Sequence, residues 1–126
     1  MATPDQIRAA IDAYVDGYNR ADREAVVALF APDAELIDPV GTPTHKGADG
    51  IRNFWDQVRS ITEDIKLVPQ ETVVCGSEAV MVFATEARSA GAGMRMTVVD
   101  VFEFDDAAKI TRLKAYWDME QGQPIS

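Results

Sequence analysis

Apolar side chains recur three and four residues apart over the first part of the chain and every second residue over the rest, so the sequence predicts helices followed by strands. Ile7, Ala10, Ile11, Tyr14 and Tyr18 form one helical stripe, and Tyr14 therefore points inward with the core. Thr3 before Pro4, with Gln6 three residues on, is a helix start of the capping-box kind. Asp22 heads a second, shorter helix expected to run through Phe30. Ile51, Phe54, Trp55, Val58 and Ile61 predict a third helix after Gly47. Between the last two a short strand over 34–38 is stopped by Pro39 and Gly41.

Alternation then predicts strands over 65–74, 79–88, 94–104 and 109–119. The segments between them carry turn chemistry: Cys75-Gly76-Ser77, the run from Ser89 to Gly93, and Asp105-Asp106-Ala107-Ala108. Such loops imply antiparallel neighbours. Helices first and a strand meander second read as an α+β fold, with the helices covering one face of a curved sheet. The 126 residues suit one domain, 1–126, able to bury roughly two thirds of the surface of its unfolded chain.

One strand breaks its own pattern. Asp100 falls on the face it shares with Met96, Val98, Phe102 and Phe104, while Thr97, Val99, Val101 and Glu103 point the other way. Desolvation there disfavours the charged form and raises the pKa. A carboxyl group kept neutral is a hydrogen-bond donor, which suits a site that stabilises negative charge developing on a substrate. Tyr14 and Asp38 are the other candidates. Singly, Tyr14 also reads as a core residue with its hydroxyl on a backbone carbonyl, Asp38 as a turn residue before Pro39, and Asp100 as a satisfied structural acid.

Charge and composition narrow the chemistry. A net charge of −9, from 21 acidic and 12 basic residues, opposes binding to a phosphate backbone or an anionic membrane surface. No apolar run approaches the ~18 residues of a membrane span. The N-terminus lacks a basic segment followed by an apolar one, so a cytoplasmic location is the expectation. One cysteine, Cys75, and one histidine, His45, allow neither an internal disulfide nor a His/Cys zinc cluster, and no role falls to either. The common nucleotide-binding and nucleophile-elbow signatures are absent. Catalysis would rest on carboxyl and phenol groups, with no metal and no cofactor.

The segments Y-V-D-G-Y-N-R-A-D (Tyr14 to Asp22), V-A-L-F-A-P-D-A-E-L-I-D-P-V-G (Val27 to Gly41) and V-D-V-F-E-F-D (Val99 to Asp105) together resemble the ketosteroid isomerases. G-A-D-G-I-R-N-F-W (Gly47 to Trp55) and K-A-Y-W (Lys114 to Trp117) extend the match over nearly the whole chain. That family of steroid Δ5-3-ketoisomerases lies within the cone-shaped nuclear transport factor 2-like and SnoaL-like superfamily. The resemblance implies three N-terminal helices packed on a curved, mostly antiparallel sheet. It implies conversion of 3-oxo-Δ5-steroids to 3-oxo-Δ4-steroids through a dienolate, with Asp38 as general base and Tyr14 and protonated Asp100 as the oxyanion hole. For the apolar steroid it implies a pocket of Val40, Phe54, Phe83, Val98, Phe102 and Trp117, and for the protein a homodimer. The fold hosts other functions, so a polyketide-cyclase-like enzyme, a small epoxide hydrolase and a non-catalytic apolar ligand-binding protein are the alternatives. In one respect the chain departs from the pattern. Phe30 and Trp55 stand where some members carry tyrosines that support the oxyanion-hole phenol, and neither has a hydroxyl.

Overall fold

The computed structural model describes residues 1–126. Helix α1 (Pro4–Asn19) starts on the reciprocal bonds expected of Thr3 and Gln6: the Gln6 N–H donates to Thr3 Oγ1 at 3.2 Å, and the Thr3 N–H donates to Gln6 Oε1 at 2.9 Å. Its buried stripe is Ile7, Ile11, Tyr14, Gly17 and Tyr18. Gly17 has a packing reason, because a Cβ there would lie 2.7 Å from Val26 Cγ2 in the next helix. Asp22 caps that helix, α2 (Arg23–Val27), by accepting from the Ala25 N–H at 3.1 Å.

Helix α2 is shorter than the sequence predicts. The chain leaves it before Phe30, which is already the first residue of strand β1 (Phe30–Ile37) and pairs in parallel with Ile110. Spacing alone fits Val26, Val27 and Phe30 to a helix, but pairing with a strand 80 positions away overrides it. The parallel ladder is irregular between Phe30 and Glu35, where Pro32 has no N–H to give. A two-residue strand, β2 (His45–Lys46), adds to the edge of β1 and leads into helix α3 (Gly47–Ile61).

Strands β3 (Asp64–Cys75), β4 (Glu78–Ser89) and β5 (Ala92–Phe104) are long, and β6 (Ile110–Tyr116) returns beside β5. The β4–β5 turn is tighter than the sequence predicts: only Ala90 and Gly91 lie outside the strands, both with positive φ, at 51° and 78°. Two such residues make the turn whose twist matches its flanking strands. One seven-stranded sheet results: six strands in the order β2-β1-β6-β5-β4-β3 and a short C-terminal seventh paired to β5, antiparallel except where β1 meets β6. The helices pack on one face of it, and Phe102, Ile7, Met81, Ile110, Leu113 and Val26 are among the fully buried side chains between them. No helix is long and apolar enough to cross a membrane.

The chain leaves β6 at Tyr116, short of the expected 119. It makes a 3₁₀ turn (Met119–Gln121) and returns as β7 (Gln123–Ile125) along the start of β5. This detour carries Trp117 and Met119 off the sheet and into the wall of the principal cavity.

Candidate active site

Between the sheet and helices α1 and α3 lies a cavity of about 460 Å³. Phe54, Val58 and Ile61 line it from α3 at helical spacing; Met94, Met96, Val98 and Asp100 line it from β5 at strand spacing. Phe83 comes from β4, Leu67 from β3 and Trp117 from the segment after β6. Tyr14, Tyr18, Asp38 and Asp100 also face this cavity. An apolar pocket with a few convergent polar groups is the usual form of a small-molecule site.

Asp100 is the one charged side chain among the buried residues, at 2% exposure, and it lies on β5 between Val98 and Phe102 on the buried face. Burial pushes its carboxyl well above the ordinary range, and the negative charge of Asp38 pushes it further in the same direction. Asp38 follows the last residue of β1 and is half-buried, more enclosed than its place at a strand end before Pro39 suggests. Burial raises its pKa as well, but two contacts oppose that: a hydrogen bond from Trp117 and the charge of His45. The Trp117 Nε1–H donates to Asp38 Oδ1 at 2.8 Å. Two acids in one pocket are thus pushed apart, with Asp38 the readier to ionise and Asp100 the readier to keep its proton.

Tyr14 is 5% exposed, and Phe102 and Phe30 meet its ring edge-on at centroid distances of 5.6 and 6.5 Å. Burial raises its pKa first; Tyr18, Asp100 and Asp38 raise it further. A neutral phenol held this way is a donor. Tyr18 was legible as core from its spacing, yet it also reaches the cavity. It lies one turn beyond Tyr14, with ring centroids 5.0 Å apart, and its ring also packs on Trp55 at a centroid distance of 4.7 Å. The signal for it in the sequence is the separation of four residues, which puts two side chains on one helix face.

Of the six pocket residues implied by the resemblance, Phe54, Phe83, Val98 and Trp117 line the cavity. Phe102 does not. It is fully buried behind Tyr14, because the ring at that register fills the space between sheet and α1. Val40 does not either. It follows Pro39 out of the cavity, is 43% exposed, and borders a separate groove with Thr97, Val99 and Tyr116. Met94, Met96, Val58 and Ile61 line the cavity without having been singled out, although their spacing puts them on the same faces as Asp100 and Phe54. Cys75 is exposed, and no group of three or more His, Cys, Asp or Glu side chains is placed where it could hold a metal ion.

A family model described as a SnoaL-like domain matches residues 11–113. Over 112 residues, 89% of this chain and 89% of the relative, the sequence is 28% identical to a steroid Delta-isomerase of Nocardioides simplex. The fold superposes with a TM-score of 0.87 on the epoxide hydrolase/cyclase-like enzyme SalBIII, which has a role in pyran ring formation in the polyether salinomycin. That pair is 20% identical, covering 97% of this chain and 98% of the other. TerC, co-crystallised with polyporic acid, superposes with a TM-score of 0.84 at 25% identity, covering 91% and 93%.

Proposed function

The chain belongs to the SnoaL-like domain family, and from that premise we propose that it is a steroid Δ-isomerase acting on 3-oxo-Δ5-steroids without a cofactor. One arrangement supports the reading: a hydrogen-bonded carboxyl group, Asp38, shares a single apolar cavity with Tyr14 and Asp100, two acids whose burial favours their protonated, hydrogen-bond-donating forms. The cavity wall suits a flat, neutral ligand and sustains the protonation of Asp100. Isomerisation needs a proton removed next to a carbonyl and delivered two carbons away, which one pivoting carboxylate can do. Asp38 takes the 4β proton; the C4–H electrons move toward the 3-oxygen; Asp38 returns the proton at C6 as the dienolate collapses to the conjugated enone. Tyr14 and Asp100 donate to the 3-oxygen throughout, and their bonds strengthen as it becomes anionic.

The reading is tested by adding 5-androstene-3,17-dione and following absorbance of the conjugated enone. A rise is expected. Saturable binding with an unchanged spectrum would remove the isomerase claim and leave a ligand-binding protein, and turnover of a polyketide-type substrate alone would make it a cyclase.

Activity needs Asp38 ionised and Asp100 protonated. The rate is therefore expected to fall as pH drops through the raised pKa of Asp38, and to fall again as pH rises through that of Asp100. Trp117→Phe keeps an aromatic wall but removes the indole N–H that holds Asp38 down. The acid limb of its pH–rate profile should move to higher pH; an unmoved limb would show that the indole does not tune the base.

A further inference from the structure

We propose that Tyr18 is the positioning residue of this site: its hydroxyl donates to the Tyr14 oxygen and leaves the Tyr14 proton for the substrate oxygen. The inference rests on the isomerase reading for its kinetic consequence and on the geometry of α1 for the rest. Tyr14 and Tyr18 sit one helical turn apart, tilted at 53° to each other, and both border the cavity. Burial raises the pKa of both phenols, so each keeps its proton and is available as a donor. No other phenol can serve. The chain has three tyrosines, and Tyr116 is 42% exposed beside the groove at Val40. The remaining rings on Tyr14, those of Phe30 and Phe102, carry no polar atom.

Tyr18 is itself held in place. Its ring packs on Trp55, the Arg59 guanidinium covers Trp55 at 4.6 Å, and Arg59 Nη2 donates to the Tyr18 carbonyl at 3.2 Å. Either hydroxyl can donate in the free protein, since both are rotors. A ligand oxygen that accepts from Tyr14 sets one direction, from Tyr18 to Tyr14 to ligand. As charge develops on that oxygen the Tyr14 oxygen becomes a stronger acceptor, so the Tyr18 bond strengthens with it.

A double-mutant cycle with Tyr18→Phe, Tyr14→Phe and the pair tests this. Tyr18→Phe should lower kcat about tenfold with little change in KM, the worth of one hydrogen bond made stronger in the transition state. In the Tyr14→Phe background the same substitution should cost nothing further. Equal losses in both backgrounds, or none in either, would overturn the proposal, because a residue acting through Tyr14 has no route once that hydroxyl is gone. The dissociation constant of 2-naphthol, followed by its fluorescence, should show the same dependence. It separates the two readings: an inactive wild-type protein that still gives the naphthol coupling loses the isomerase reading and keeps the role of Tyr18, whereas failure of 2-naphthol to bind the wild-type protein removes the donor pair. Should Tyr18→Phe not fold, Cζ-labelled tyrosine resonances of the unaltered protein decide. Naphthol should move both Tyr14 and Tyr18, and movement of Tyr14 alone would sink the idea.

Discussion

Asp38→Asn is expected to slow isomerisation of a 3-oxo-Δ5-steroid on the order of a hundredfold or more, the usual worth of a positioned general base. The amide is nearly isosteric, and its oxygen can still accept from the Trp117 indole, so the cavity should keep its shape. What it lacks is an oxygen able to take the 4β proton and carry it. Binding should respond in the opposite direction. Ionised Asp38 is a negative charge in the same apolar cavity as the proposed oxyanion hole, and it raises the pKa of Asp100 by repulsion. Without it an anionic phenolate, the mimic of the dienolate, should bind at least as tightly as before. Steady-state rates and 2-naphthol affinity measured on one preparation check both arms. A variant with the wild-type rate would show that the base lies elsewhere, and a variant that loses both rate and binding would indicate collapse of the site.

Asp100→Leu should cost roughly a hundredfold to a thousandfold in rate, as removal of an oxyanion-hole donor does, and it should make the protein more stable at neutral pH. The sign of the second effect follows from proton linkage. Unfolded Asp100 titrates near the ordinary value of about 3.9. The folded state holds the proton to a higher pH because burial and Asp38 oppose ionisation. Between those two pKa values the folded state binds more protons than the unfolded state, so stability falls as pH rises from about 4 through the folded pKa. Leucine removes the group responsible, so the stability of the variant should decline less over that window. Denaturant unfolding at several pH values is the measurement. Asp100→Asn, which keeps a donor, should fall between the two in rate. A leucine variant that is less stable at neutral pH and keeps the wild-type rate would mean that Asp100 is a structural acid.

The placement of Asp100 was legible before any fold was known because strand periodicity depends only on neighbouring residues. Once Met96, Val98, Phe102 and Phe104 are assigned to one face, residue 100 has no other place to go. The same holds for Tyr14 on the stripe of α1 and for the start of that helix, where Thr3 and Gln6 bond across three residues. Helix α2 shows where such reasoning stops. Its spacing continues to Phe30, but the backbone there pairs with Ile110, a partner that no local window contains. Strands β2 and β7 are short edge pieces whose existence depends on β1 and β5 being beside them.

The site divides along the same line. By itself the sequence determined which side chains are apolar, which face of each element they occupy, and that an acid and a phenol point inward, because these follow from the repeat of the backbone. Only the tertiary structure decided what those faces meet. It turned Val40 out of the cavity and set Phe102 behind Tyr14. It brought the Trp117 indole onto Asp38 across 79 positions of chain and put Tyr18 beside the cavity with Tyr14. These contacts depend on how strands register and how helices rotate against a curved sheet. Packing of elements remote in sequence sets those quantities, and no periodicity records them.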